Sequence, residues 1–205
     1  MASHEVQVPR QKRAQAKKDA IVLASYGLFC EKGYYGTNTA QIAKRAGVST
    51  GIVYRYFQDK KDILNAVVRL YLARLEEGAR PLLAAAVSGE ELAAVAGRFL
   101  DLVLDSHRMD RAAHDEFWAL ALRHEDIGRL FAAFEEELLR GLAAALQERR
   151  GLPGDQLPEK LRISYGIVEQ LCHDVVNGRI DEQDWPAMKR IAVSAIVYLL
   201  EAPAP

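Results

Sequence analysis

Thr50, Gly51, Tyr54 and Arg55 fall at positions 50/54 and 51/55, two adjacent i, i+4 rows that share one face if the segment is helical. Such a face suits the edges of base pairs. The Arg55 fork can donate to both acceptors of guanine, a contact worth about 1–3 kcal/mol of discrimination, and Gly51 lets the backbone approach closely. A plain phosphate contact is the other use of Arg55. Thr37, Thr39, Tyr54, Tyr56 and Lys60 carry hydroxyls or charge suited to phosphate oxygens, which position a protein without reading sequence, and Ser49 joins them among the candidate DNA-binding residues. Covalent chemistry has no comparable residue set: no G-x-S-x-G, P-loop or H-E-x-x-H occurs, so no catalytic residue is expected.

The elements that must hold this face are marked by local signals. Asn38 followed by Gln41 reads as a capping-box-like pair that starts a helix near Thr39. That helix carries Ile42, Ala43 and Ala46 and stops at Gly47, the residue type that takes the left-handed conformation at no steric cost. Val48 plugs the corner and Ser49 is placed to cap the next helix. Val53 and Phe57 then form an i, i+4 apolar pair turned back toward Ile42. Two helices joined by a tight glycine turn form the arrangement that sets a second helix in the major groove, although an ordinary helical hairpin carries the same individual signals.

Charge separates the two readings. Residues 1–80 hold fourteen Lys and Arg against seven Asp and Glu, whereas residues 81–205 hold thirteen against twenty-one, so a chain of net charge −1 divides into +7 and −8. A basic end and an acidic remainder fit a polyanionic partner, here double-stranded DNA.

With these residues in place, the segment from about Lys17 to Leu64 resembles the DNA-binding domain of the tetracycline-repressor (TetR) family of bacterial regulators. The resemblance rests on Phe29, Gly33, Tyr34, Thr37, Asn38, Thr39, Ile42, Ala43, Ala46, Gly47, Val48, Ser49, Tyr54, Phe57 and Lys60. Asn38 stands where Thr is commoner and Tyr56 where His is common. The resemblance implies base contacts by Gly51 and Tyr54, a homodimer closed by a four-helix bundle, and a repressor released by a small molecule.

The rest of the chain is read from its residues. Its 205 residues, half of them hydrophobic, allow one small domain and one larger one, and helical spacing runs throughout. The expected fold is all-α: an N-terminal three-helix helix-turn-helix DNA-binding domain over 1–58, joined by a linking helix to a C-terminal helical ligand-binding and dimerisation domain over 59–205. Residues 1 to about 13 read as a polar, mobile tail with Arg10, Lys12 and Arg13. The linking helix starts near Lys60 and is expected to end where Pro81 interrupts its ladder. Further helices are expected at roughly 89–107, 110–123, 126–149, 158–177 and 184–201. No run is long and apolar enough for a membrane span, so the chain is expected in the cytoplasm, with no membrane partner. Cys30 and Cys172 lack paired spacing and read as buried small hydrophobes.

The last two helices supply the candidate dimer interface: Leu161, Val168, Cys172, Trp185, Met188, Ile191, Ala195 and Tyr198, which serve equally as core stripes of the protomer. Tyr71, Phe99, His114, Phe117, Trp118 and Tyr165 are the candidate lining of a pocket for a small amphipathic effector. His107, His114 and His124 are spaced by seven and ten, which does not put them on one helical face, so no metal site and no cofactor are expected. The function expected is a DNA-binding transcriptional regulator, most simply a ligand-released repressor on a palindromic operator. An activator, a ligand-independent architectural protein and a helical enzyme remain as alternatives.

Overall fold

The computed structural model describes residues 10–202 apart from positions 153 and 155. Among the described residues the fold is all-α with nine helices: α1 (Arg10–Lys32), α2 (Thr39–Arg45), α3 (Thr50–Tyr56), α4 (Lys60–Val87), α5 (Leu92–Met109), α6 (Arg111–Arg123), α7 (Glu125–Arg150), α8 (Leu157–Val176) and α9 (Trp185–Glu201). Each boundary has a local cause. Asn38 accepts from the Gln41 backbone N–H at 3.0 Å while the Gln41 side chain accepts from the Asn38 N–H at 2.9 Å, a complete capping box. Asp59 caps α4 by accepting from the Asp62 N–H, and Pro158 and Pro186 sit in the first turns of α8 and α9, where a missing N–H is harmless. Gly47 takes φ 67°, the left-handed turn between α2 and α3.

Two expectations are corrected here. α1 begins at Arg10, so residues 10–13 are the first turn of a helix, and the tail expectation for residues 1–9 lies outside the described residues. Pro81 lies inside α4 instead of ending it. An interior proline removes one ladder bond and crowds the carbonyl four residues back, at roughly 3 kcal/mol. Position 81 is exposed, as is residue 77 opposite, so water satisfies the freed carbonyl. The next turn delivers buried Ala86 to a core, and packing on both sides of the proline carries the helix through.

There are two cores, and α4 threads both. The first gathers α1, α2, α3 and the N-terminal half of α4 around Ile21, Phe29, Ile42, Val53, Ile63 and Val67, none of which exposes any surface. Ala113 and Phe117 of α6 and Ile127 of α7 belong to this same core, so the helix-turn-helix is seated on the larger part of the protein. The second core joins the end of α4 to α5, the C-terminal part of α7, α8 and α9 through Leu100, Leu146, Leu157 and Cys172. Burying each such aliphatic side chain contributes about 1.5–3 kcal/mol relative to leaving it in water.

Candidate nucleic-acid interface

α3 is amphipathic in the sense its sequence demands. Val53 and the adjoining Phe57 are buried against Ile42 and Ala43 of α2, whereas Thr50, Gly51, Tyr54 and Arg55 are all exposed. One short helix therefore shows two turns of polar and aromatic groups to solvent on a face its own core cannot reach. The Tyr54 hydroxyl lies 3.1 Å from the Thr39 Oγ1, which ties the start of α2 to the middle of α3. The backbone N–H groups of the first turn of α2 that the capping box leaves free, and the exposed Lys44, add further positive potential beside that face.

Two residues assigned to phosphates have other work. Thr37 is only 2% exposed, and its hydroxyl donates to the carbonyl oxygens of Gly33 at 2.9 Å and Leu28 at 3.3 Å. A side chain closed into the end of α1 cannot reach a phosphate, so its assignment is corrected to a corner fastener. Lys60 donates to the carbonyls of Tyr34 and Thr37, both at 2.8 Å, with its ammonium 4.2 Å from the Tyr34 ring centre. Burial pushes its pKa down. It is a clamp on the α1–α2 corner. Ser49 occupies the N-cap of α3 without a capping hydrogen bond, so the cap expected of it is also corrected and its exposed hydroxyl stays free. Tyr56 is half-buried against the first core, while Thr39 and Tyr54 keep accessible hydroxyls.

The corner is braced from behind by α6. Glu116 accepts from the Tyr34 backbone N–H at 2.5 Å, and the Tyr26 hydroxyl donates to Asp110 at the start of α6. Tyr26 also packs on Phe117, with ring centres 5.6 Å apart. α6 and its N-cap are thus tied both to the body of α1 and to the α1–α2 corner. No sequence signal for this brace exists, because its partners lie more than eighty residues apart.

The chain is similar to known proteins. The model of bacterial regulatory proteins of the tetR family matches residues 21–67. The HTH-type transcriptional regulator BetI of Cronobacter sakazakii is 33% identical over 153 residues, spanning 73% of this chain and 74% of that protein. The chain belongs to the TetR family. The BetI regulator of Escherichia coli is 31% identical over 164 residues, spanning 78% of this chain and 80% of its own length. A Mesorhizobium loti crystal structure assigned to TetR-family regulators shares the fold, with a TM-score of 0.74 at 22% identity over 92% of this chain and 96% of that one. As a member of the family, the protein is a DNA-binding transcriptional regulator and not an enzyme.

In this TetR-family protein the residues assigned to an effector pocket do not form one lining. Phe99 and Tyr165 border an apolar cavity of about 90 Å³ between α4, α5, α7 and α8, together with Leu83, Leu142 and Val168. Phe117 is fully buried in the first core, which corrects its assignment to a pocket wall. Tyr71 and His114 meet elsewhere, the Tyr71 hydroxyl lying 3.1 Å from His114 Nδ1, and the half-exposed Trp118 stands beside them, 6.4 Å from the His173 ring.

Around His114 the TetR-family fold brings together residues that one-helix spacing kept apart. His107 of α5, His114 of α6 and His173 of α8 place one ring nitrogen each within 4.8 Å of the others. Glu169 reaches His107 Nε2 at 3.4 Å and His173 Nε2 at 3.9 Å. Burial, reinforced by its two histidine neighbours, pushes His114 down to about 4. Burial lowers His107 too, but Glu169 and the Val103 carbonyl outweigh it and hold that ring above its ordinary value. His124 is not part of the group: it bonds the Tyr35 hydroxyl at 2.8 Å. The spacing rule tested one helix at a time, whereas these rings come from three.

The terminal helices of the TetR-family fold divide by face. Leu161, Val168 and Cys172 are buried in the protomer's second core, which corrects their assignment to a dimer interface: they point inward and have no surface to offer. Ile191, Ala195 and Tyr198 form an exposed i, i+4, i+7 stripe on α9, with Ile191 67% and Tyr198 74% exposed. Exposed Ile163 on α8 is a further apolar group that the sequence reading passed over, and Trp185 and Met188 are half-buried.

Proposed function

We propose that this TetR-family protein is a repressor that binds a palindromic operator as a homodimer and leaves it when a small amphipathic molecule binds. The observation that carries the reading is the exposed face of α3, where Thr50, Gly51, Tyr54 and Arg55 stand clear of a core that buries Val53 and Phe57. Arg55 reads a guanine, Gly51 and Tyr54 approach bases, and Thr39, Ser49 and Tyr56 position the phosphates.

A single seven-residue helix reads too few base pairs for specific binding, so two copies on half-sites one helical turn apart are the physical expectation. The Ile191, Ala195 and Tyr198 stripe, continued by Ile163, supports a bundle of α8 and α9 from two protomers. The effector enters between α4, α5, α7 and α8 by widening the cavity that Phe99 and Tyr165 border, and it favours a conformation whose recognition helices no longer match successive grooves.

Gel-shift titration against the DNA upstream of the protein's own gene tests this. A defined palindrome bound by two chains, with release by a small molecule, is expected. Equal affinity for that DNA and for random sequence overturns it. Binding strengthened by the molecule makes the protein a ligand-enhanced regulator instead.

A further inference from the structure

Three imidazoles and a carboxylate from three helices converge inside a protein whose family function calls for no catalysis. His107 and His173 flank His114 with ring centres 4.0 and 4.9 Å away, and Glu169 closes the group. The nitrogens face one another in a specific way. His107 Nδ1 lies 2.8 Å from the Val103 carbonyl, which can only accept, so Nδ1 carries a proton and donates it. Its Nε2 is buried and has no hydrogen-bond partner among the described residues; Glu169 stands at 3.4 Å without bonding geometry. His114 is anchored through Nδ1, 3.1 Å from the Tyr71 hydroxyl, and its Nε2 points inward 3.3 Å from His173 Nε2.

An outer ring nitrogen tied to a carbonyl or hydroxyl, with the inner nitrogen turned toward its neighbours, is how metal-ligating histidines are held. Distances agree. Two nitrogens each about 2.0–2.1 Å from a tetrahedral ion are separated by about 3.3 Å, the His114 to His173 spacing in the structure. Without an ion this centre is costly. The buried His107 Nε2 goes unpaired. An ion satisfies that nitrogen.

We propose that His107, His114 and His173, with Glu169 as the fourth ligand, bind a divalent transition-metal ion of the zinc class. Three imidazoles and one carboxylate suit Zn²⁺ and Co²⁺, and disfavour Mg²⁺ and Ca²⁺, which prefer all-oxygen sets. Binding requires the three ring nitrogens, now within 4.8 Å of one another, and Glu169 to draw together around the ion.

The centre is placed to report its occupancy. His114 bonds Tyr71 of α4, and α6, which carries His114, also carries Glu116 and is preceded by its N-cap Asp110, the groups that hold the Tyr34 backbone and Tyr26. Drawing α6 toward α8 around an ion therefore pulls on the α1–α2 corner that positions α3. This second statement, that the metal changes DNA affinity, rests on the regulator reading above.

Co²⁺ titration of the full-length chain tests the site without DNA. One equivalent should produce the visible d–d absorption of a tetrahedral ion, bleached by Zn²⁺ and untouched by excess Mg²⁺. His173→Asn and His114→Asn should abolish it with the helical circular dichroism retained, and His124→Asn should leave it intact. No visible band, or the same band in His173→Asn, overturns the site. If the histidine variants fail to fold, Glu169→Gln serves in their place, expected to weaken Co²⁺ at least tenfold, and unchanged affinity overturns the fourth ligand. Operator affinity with and without Zn²⁺ then tests the coupling. A change of fivefold or more, absent in His173→Asn, supports it, while a metal-loaded protein with unaltered DNA affinity overturns the coupling and leaves both the site and the regulator reading standing.

Discussion

The Lys60 ammonium lies 4.2 Å over the ring of Tyr34 and donates to the same residue's carbonyl oxygen at 2.8 Å, so the first residue of α4 locks the last corner of α1. A lysine that sequence alone assigns to a phosphate is spent inside the protein. Lys60→Met should lower the stability of the folded chain by about 1.5–3 kcal/mol, the scale of hydrogen bonds to a charged donor. The salt dependence of DNA binding should be unchanged. A fall of about 0.9 in the slope of log K against log salt returns Lys60 to the phosphates.

Arg55 is exposed in the last turn of α3. Arg55→Ala should weaken operator binding by about 1–3 kcal/mol and leave affinity for random DNA within about twofold, measured by competition anisotropy at one fixed salt concentration. Equal losses on both sequences make Arg55 a phosphate contact.

Asn38 caps the helix that supports the reading helix. Asn38→Ala should cost about 0.5–2 kcal/mol in chemical unfolding, and Asn38→Ser should recover most of it. Loss of DNA binding in both variants to the same extent shows that the amide itself, and not the cap, is what matters.

Leu161 and Tyr198 separate core from surface on the terminal helices. Leu161→Ala should destabilise the chain by about 2–5 kcal/mol, as buried leucines do, without altering its assembly. Tyr198→Glu should convert a sedimenting dimer to a monomer with little effect on its circular dichroism. A monomeric wild type, or a dimeric Tyr198→Glu, removes the α9 stripe from the interface.

Neither cysteine is poised for redox sensing. Burial pushes the thiol of part-buried Cys30 up to about 11 and that of buried Cys172 up to about 12, so the reactive thiolate is a small minority of either at pH 8. Native protein should therefore react with a thiol reagent far more slowly than denatured protein at that pH. Stoichiometric labelling of Cys30 within the time the denatured chain takes contradicts the burial.

What could be read in advance follows from the range of each signal. The Asn38 and Gln41 box, the Gly47 turn and the Val53 and Phe57 pair are interactions within five residues, and all stand where the spacing put them. Thr37 failed for a different reason: its type suits a phosphate, but its burial depends on where the end of α1 falls. The faces of α8 were ambiguous because an apolar stripe does not say whether the same chain or a second one covers it. His173 joined His107 and His114 only through the packing of three helices, and no periodicity within one helix reports that. Pro81 shows the converse, a strong local stop overridden by cores on either side of it.

The central claim is that the exposed face of α3 reads a specific DNA sequence. Hydroxyl-radical footprinting of the full-length protein across the DNA upstream of its own gene tests it most directly. The account predicts two protected half-sites about one helical turn apart and related by a dyad, both lost with Arg55→Ala at a concentration where wild type protects fully. Uniform protection along the fragment, or a footprint that Arg55→Ala leaves intact, contradicts it.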